Sequence, residues 1–476
     1  MKKVALVFVP SPGIGHLVSM TEFAKRLLDR EKRLAITVLV ITPPATPTIN
    51  EYIKSLVSSD SRISYINLPH VDPPTSHNPQ EISTEKFISD FIESHRPHVK
   101  DAIVHNVLTS ASVPLVALVV DLFCTSMIDV ANELKVPSYL FFTSSAAFLG
   151  LMWCLSTHRS HIGAEFSPSD PEFIIPSYAS LVPASVLPSV LFNKRGGCTS
   201  FLNHGERFKE TKGMIVNTFL ELEYHAVNSF VARDEADQAV PPAVYTVGPL
   251  LDLKGRKHTG SDPNEIIRWL VNQPPSSVVF LCFGSLGSFE LRQLGQIAVA
   301  LEHSGQRFLW SIRKPPPKDT LGFPSEYDNF DKILPEGFLK RTEKRGKVCG
   351  WAPQVEVLAH KAIGSFVSHC GWNSVLESLW YGVPIVAWPL YAEQQINAFQ
   401  MVKELGLAEE LKLDYRIDGG EVVMANEIER AITRVMDETN PVRKRVKEMA
   451  EKSRKAVIDG GSSFASLGCF IEAMLA

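Results

Sequence analysis

The strongest constraint on the fold is the way the apolar residues are grouped. Val4–Val9, Ala35–Ile41, Ile63–Leu68, Pro114–Asp121 and Ser138–Thr143 are short, almost unbroken apolar runs. Amphipathic stretches such as Met20–Leu28 separate them. A strand that is apolar on both faces needs a cover on both faces, and a parallel sheet wrapped by helices supplies one. The alternation therefore predicts a doubly wound α/β domain. A second series begins near Ser277, with candidate strands Val278–Phe283, Arg307–Ile312, Ile363–Ser368 and Pro384–Trp388. Between the series lies Leu250–Pro263, which is polar, contains glycine and has no periodicity, as a linker would. The expected organisation is a first domain over residues 1–249, a linker over 250–263 and a second domain over 264–459, with a last helix near Ser462–Leu475 returning to the first domain from about residue 460 to 476. Two domains also suit 476 residues, at ~100–200 residues per domain.

Two segments break the rhythm. Residues 156–203 are rich in Pro, Ser, Gly and isolated aromatics, and a long irregular region inside a compact domain tends to serve function. It is expected to form the lid and wall of a pocket. Lys314–Asp331, rich in Pro and Asp, is expected to be a surface insertion.

Charge excludes some functions. Lys plus Arg number 48 against 52 Asp plus Glu, a net charge of −4, and no basic block marks a nucleic-acid surface. Seven scattered cysteines, none in a Cys-x-x-Cys pair, argue against a disulfide framework and for a reducing compartment. The Val4–Val9 run ends at Pro10, too short for a secretory leader, and no stretch reaches the ~20 apolar residues that cross a bilayer. A cytoplasmic, monomeric protein without membrane insertion and with small-molecule partners is expected.

The first strand is followed by Pro12-Gly13-Ile14-Gly15-His16. A nicotinamide-binding fingerprint would place a third glycine where Val18 stands and an acidic residue after the second strand, where Ile41-Thr42-Pro43 stands. The loop instead presents His16, a residue able to take a proton near neutral pH. Asp121, a charge at the end of an apolar run, is the candidate to orient it. Taken alone, a histidine near a loop is more often structural. Asp129, eight residues on, reads as a solvated or capping residue.

From Trp351 to Gln394 the sequence is far less generic. It reads Trp351-Ala352-Pro353-Gln354, then Ser368-His369-Cys370-Gly371-Trp372-Asn373-Ser374, then Glu377, and ends Trp388-Pro-Leu-Tyr391-Ala-Glu393-Gln394. This span of 44 residues (351 to 394 inclusive) resembles, without a gap, the signature box of plant secondary-product UDP-glycosyltransferases of glycosyltransferase family 1. The Gly-x-Gly-His opening, Phe141-Phe142-Thr143-Ser144, Phe283-Gly284-Ser285-Leu286-Gly287-Ser288 and Leu334-Pro335-Glu336-Gly337-Phe338 extend the likeness over nearly the whole chain.

The resemblance implies a GT-B fold, two Rossmann-like doubly wound domains with a cleft between them. The first would bind the acceptor and the second the UDP-sugar. It assigns Ser285, Trp351, Ala352, Gln354, His369, Gly371, Asn373, Ser374 and Glu377 to UDP, and Thr143, Trp372, Glu393 and Gln394 to the sugar. Physical chemistry agrees. Trp351 offers a flat face to uracil. The helix opening near Asn373 presents unpaired N–H groups to a diphosphate. Gln354 and Glu377 can take ribose hydroxyls. A capping role for Glu393 is the plainer alternative. Ile14, Gly15, Phe123, Phe142, Phe148, Met152, Phe192, Phe201 and Tyr391 are expected around an apolar acceptor, some of them as ordinary core. The implied reaction is an inverting, metal-free O-glucosylation of a flavonoid or other phenolic, with triterpenoids second. UDP-glucose is the co-substrate and no cofactor is needed. His16 is the base. A UDP-sugar epimerase and a non-catalytic sugar-nucleotide-binding protein are the alternatives.

Overall fold

The computed structural model describes residues 3–42, 62–72, 81–109, 113–157, 166–231, 240–253, 263–317 and 324–476. The chain divides into two compact units. Unit 1 takes Met1–Val182, Val190–Asp252 and Lys455–Ala476; unit 2 takes Pro183–Ser189 and Leu253–Arg454.

Unit 1 is built on seven strands: β1 (Val4–Val9), β2 (Leu34–Val40), β3 (Ile63–Asn67), β4 (Leu115–Asp121), β5 (Ser138–Phe142), β6 (Gly213–Val216) and β7 (Ala243–Thr246). Their spatial order is β3-β2-β1-β4-β5-β6-β7, and each neighbouring pair is parallel. The order reverses between β1 and β4. On one face lies the helix Ile14–Arg30, which buries Leu17, Met20, Phe23, Ala24, Leu27 and Leu28, residues three or four apart that share a side of the helix. Phe23 stacks between Phe8, at 5.8 Å, and Phe141, at 5.3 Å.

The helix Ser462–Leu475 completes this core. Leu467, Phe470, Ile471 and Met474 enter it, and Phe470 meets Phe23, Tyr139 and Tyr245 at 5.0–5.8 Å. Ser463 donates a hydrogen bond to the Gly248 carbonyl at 2.6 Å.

Unit 2 carries six strands: β8 (Val278–Cys282), β9 (Arg307–Ser311), β10 (Gly346–Cys349), β11 (Ile363–Ser368), β12 (Ile385–Ala387) and β13 (Ala408–Glu410). The order is β10-β9-β8-β11-β12-β13, again parallel throughout. Here the reversal falls between β8 and β11.

Several local expectations shift. The first helix starts at Ile14, not near Met20, so His16 sits in its first turn. The Pro12-Gly13-Ile14-Gly15 opening reads as a loop, although Ile14 and Leu17 already share the face of Met20 and Phe23. Strands β6, β7, β10 and β13 carry no run long enough to mark them; each is three or four residues. Asp129 is 36% exposed in the first turn of the helix Ile128–Glu133, makes no capping bond, and pairs with Arg207 at 2.5 Å and Arg96 at 3.1 Å. Within 156–203 the structure places two 3₁₀ turns, Ala184–Val186 and Ser189–Phe192, and the start of the helix Gly197–Arg207. The segment Pro183–Ser189 belongs to unit 2, where Arg416 donates to the carbonyls of Ser185, at 2.8 Å, and Leu187, at 2.7 Å. Parts of the other expectations, residues 158–165, 254–262 of the linker and 318–323 of the insertion, lie outside the described residues.

Phe470 is buried completely and touches three rings. Phe470→Ala should cost about 3–5 kcal/mol of stability, the usual loss for a truncated core aromatic. A denaturant titration following unit 1 fluorescence checks it, since a small loss would mean that the last helix is dispensable to the core.

Candidate active site

Loops that leave parallel strands on either side of an order reversal diverge, and ligands settle where they part. In unit 1 those loops follow β1 and β4. The first brings Ser11 and His16, and the second begins at Asp121. Register aligns Val9 with Val120, so the two loops start at nearly the same level.

His16 Nδ1 lies 2.9 Å from Asp121 Oδ2. Asp121 is without solvent exposure, while the His16 side chain is 27% exposed. The other carboxylate oxygen accepts from Ser11 Oγ at 2.5 Å and from the Phe123 N–H at 3.3 Å. A carboxylate can only accept, so the His16 proton facing it sits on Nδ1 and Nε2 becomes the basic nitrogen. Thr143 Oγ1 is 3.3 Å from the same Nδ1.

One aromatic ring packs against His16, and others of unit 1 pack on one another. Phe123 lies 5.9 Å from the His16 ring and 5.7 Å from His204. Phe142, Phe148 and Phe201 form a chain at 5.7 and 6.0 Å. Phe142 and Met152 have no exposed surface, so both act as core beneath the wall. Ile14, Phe123 and Phe192 are partly exposed and have surface to offer. Gly15 lies in the first helical turn, where its carbonyl accepts from Ser19.

In unit 2 the reversal lies between β8 and β11, and Ser368 aligns with Cys282 on one side and Ala387 on the other. The loops after all three strands thus leave at one level. After β11 comes His369, buried and flanked by two glycines. A Cβ on Gly284 would lie 2.7 Å from His369 Nε2, and one on Gly371 would lie 2.6 Å away. Only glycines leave that small space open. Burial pushes the His369 imidazole down to about 4, so the ring is neutral at ordinary pH and offers an N–H rather than a charge. Its Nδ1 is buried, with no hydrogen-bond partner among the described residues. Cys370 turns the chain with φ of 61°, a backbone conformation rare for a side-chain-bearing residue.

The helix Trp372–Tyr381 starts at Gly371. Trp372 is buried within its first turn and Asn373 is partly exposed. Gln354 Nε2 donates to Ser374 Oγ at 2.9 Å and to Glu377 Oε2 at 2.6 Å. Three residues expected at the nucleotide are therefore bonded to one another. Trp351 is partly exposed beside buried Ala352, and Ser285 is exposed on the loop after β8.

At the end of the box, Gln394 folds back on its own loop. Its carbonyl accepts from the N–H groups of Leu390 at 2.9 Å and Tyr391 at 3.1 Å. The Tyr391 phenol is bonded to Gln394 as well, and burial pushes that phenol up to about 12. That bond opposes the rise and so comes from the amide –NH₂, which keeps a second hydrogen for a ligand. Glu393 occupies the N-cap position of the helix Gln394–Phe399 but makes no side-chain capping bond. The preceding Ala392 has φ of 57°.

Three participants had no sequence signal of their own. Ser11 is one of many serines until β1 and β4 are paired. Gly284 is visible as part of a Gly/Ser run, but its function as a wall for His369 is not. Glu326 accepts from the Trp351 N–H at 3.0 Å and lies in an aperiodic stretch that no pattern marks. Among the described residues no group of three His, Cys, Asp or Glu is placed to hold a metal ion, and no helix is long and apolar enough to cross a membrane.

Two parallel doubly wound units, one bearing a His–Asp pair and the other a glycine-walled helix start, are the two halves of a GT-B fold. The family model "UDP-glucoronosyl and UDP-glucosyl transferase" matches residues 251–440. The chain is 52% identical to UDP-glycosyltransferase 71K2 of Pyrus communis, over 99% of this chain and 98% of that one. It is also 52% identical to the putative UDP-glucose flavonoid 3-O-glucosyltransferase 3 of Fragaria ananassa, over 99% of both chains. The crystal structure of Medicago truncatula UGT71G1 complexed with UDP-glucose matches with a TM-score of 0.90 and 48% identity, covering 100% of this chain and 99% of that one. The chain belongs to the plant UDP-glycosyltransferase family.

Gly371 has an ordinary φ of −62°, so an added methyl group there tests the space beside His369 without straining the backbone. Gly371→Ala should weaken UDP binding by about tenfold or more, the scale of a lost buried hydrogen bond to a charged group. Calorimetric titration with UDP checks it, with the melting temperature as the control for folding.

Proposed function

We propose that this glycosyltransferase transfers glucose from UDP-glucose to a hydroxyl of a small apolar metabolite, with inversion to a β-glucoside. Flavonoids and other phenolics are the first acceptor class and triterpenoids the second. The observation that carries the reading is His16 Nδ1 at 2.9 Å from the buried Asp121 carboxylate. Support for glucose comes from the named activity of the Fragaria relative and the ligand of the Medicago structure. Support for an aromatic acceptor comes from the Phe123 ring beside His16.

His16 Nε2 takes the acceptor hydroxyl proton, and Asp121 holds the resulting imidazolium. The oxygen forms a bond to the anomeric carbon on the face opposite UDP, and the bond from that carbon to the phosphate oxygen breaks. The leaving diphosphate is stabilised by the N–H groups and dipole at the start of helix Trp372–Tyr381 and by the neutral His369. Gln354, Ser374 and Glu377 fix the ribose, Trp351 stacks on uracil, and Trp372, Glu393, Gln394 and Thr143 hold the sugar. No covalent enzyme intermediate is required, and the proposed reaction needs no metal. The proposed setting is the cytosol, with the enzyme acting as a monomer.

His16→Ala should lower turnover at least ~10²-fold with an ordinary alcohol or phenol, the scale of a positioned proton acceptor, and leave UDP affinity near normal. Mass detection of hexose addition across a panel of phenolic and terpenoid acceptors is the assay. Unchanged turnover in the variant would remove His16 from the mechanism. The wild type should keep its activity in EDTA; loss reversed by one divalent ion would end the metal-free reading.

Donor choice rests on Gln394. With its carbonyl committed to the Leu390 and Tyr391 N–H groups, its amide can donate to a sugar hydroxyl. Glucose and galactose differ in the direction of the 4-hydroxyl, and a buried partner left unpaired costs about 1–3 kcal/mol. UDP-glucose should therefore be preferred over UDP-galactose by about tenfold or more in kcat/KM, and Gln394→His should erode the preference. Competition between the two donors on one acceptor measures it, with UDP affinity recorded to separate this effect from loosening of the loop.

A further inference from the structure

We propose that Ser11 is a positioning residue of the transfer reaction, the third member of a Ser11–Asp121–His16 chain. The proposal rests on the reading of His16 as the base.

Asp121 lies at the carboxyl end of a central strand with no exposed surface. Among the described residues no lysine or arginine pairs with it; its only ion-pair partner is His16. A buried carboxylate that lacks a permanent counter-charge keeps its charge through hydrogen-bond donors alone. The donors are three: His16 Nδ1–H on one oxygen, and Ser11 Oγ–H and the Phe123 N–H on the other. The Phe123 bond is long, at 3.3 Å, and the Ser11 bond is short, at 2.5 Å. Ser11 itself is buried, and its hydroxyl has one further neighbour, the Cys124 thiol at 3.6 Å. A serine hydroxyl carries one proton, and a carboxylate oxygen is the stronger acceptor here. Ser11 therefore spends its proton on Asp121. It fixes the plane of the carboxylate, and with it the direction in which Oδ2 meets the imidazole.

Removing that hydroxyl leaves one oxygen of a buried carboxylate with a single weak donor. The carboxylate loses the donor that holds its plane, and Oδ2 is no longer held in line with His16 Nδ1. The other titratable groups facing Asp121 are Cys124 and His204. Burial pushes the Cys124 thiol up, followed by the effect of Asp121, so it stays neutral. Burial pushes His204 down to about 4, so it too stays neutral. Arg207, near His204, is paired with Asp129 and Glu210. Neither Cys124 nor His204 brings a charge to Asp121 at ordinary pH.

The test uses the full-length chain, a simple alcohol acceptor and the variants Ser11→Ala, His16→Ala and the double variant. Ser11→Ala should lower kcat/KM by about tenfold to a hundredfold, the effect of an unmade hydrogen bond to a buried charge. The loss should fall on kcat rather than KM, with UDP affinity retained and the melting temperature lowered by only a few degrees. In the His16→Ala background the serine change should cost nothing more, because it acts through the base. Wild-type activity in Ser11→Ala, a loss carried by KM alone, or an equal loss in both backgrounds overturns the assignment of Ser11. If His16→Ala alone leaves turnover unchanged, the reading of His16 as base has failed instead, and the two failures are read from different variants.

Discussion

A parallel sheet sends every strand across in the same direction, so each loop that can hold a ligand emerges on one edge. In both units the strand order reverses beside the first strand of that unit, between β1 and β4 and between β8 and β11. At those two points neighbouring loops part and leave room for side chains that face each other. Ser11, His16 and Asp121 owe their meeting to the first reversal, and Gly284 and His369 owe theirs to the second. None of these groups is close to its partner in sequence: His16 and Asp121 are 105 positions apart. The functional chemistry of each unit is therefore a consequence of strand order.

Both reversals also place polar groups where water is scarce, and the two units resolve that cost differently. In unit 1 a carboxylate is buried and surrounded with donors. In unit 2 an imidazole is buried and left neutral, with glycine walls and one nitrogen unpartnered among the described residues. The first arrangement suits a charge that must persist through a proton transfer. The second suits a donor that meets its charged partner only when the ligand arrives. Strained backbone at Cys370 and Ala392 accompanies the second, where loops must turn sharply to bring His369 and Glu393 into position.

Much of this was legible in the sequence. Buried central strands have apolar residues on both faces, so β1, β2, β4, β5, β8, β9 and β11 stand out as runs. The edge and near-edge strands β7, β10 and β13 are short and partly exposed, and β6, although buried, is four residues long; they leave almost no periodic trace. The signature segment 351–394 made its residues legible through resemblance, and the structure joins Gln354, Ser374 and Glu377 in one hydrogen-bonded group. The sequence offered Asp121 as the partner of His16, and the structure places them 2.9 Å apart; the sequence offered no partner for Ser11. A serine on one loop acquires meaning only when a strand more than a hundred residues away lies beside it. A carbonyl on Gln394 that serves its own loop cannot be told from one that serves a sugar until the loop is folded.

The helix Ser462–Leu475 adds a consequence for how such a chain is made. It fills part of the core of unit 1, yet it is synthesised after all of unit 2. Until those residues leave the ribosome, the apolar surface that will receive Phe470 has no cover. Unit 2 has its own core and sheet and can close first. The first half of the chain thus finishes folding last, and the order of synthesis is reversed in the order of completion. An unfinished chain would expose a sticky face, a mark by which chaperones can tell it from a complete one.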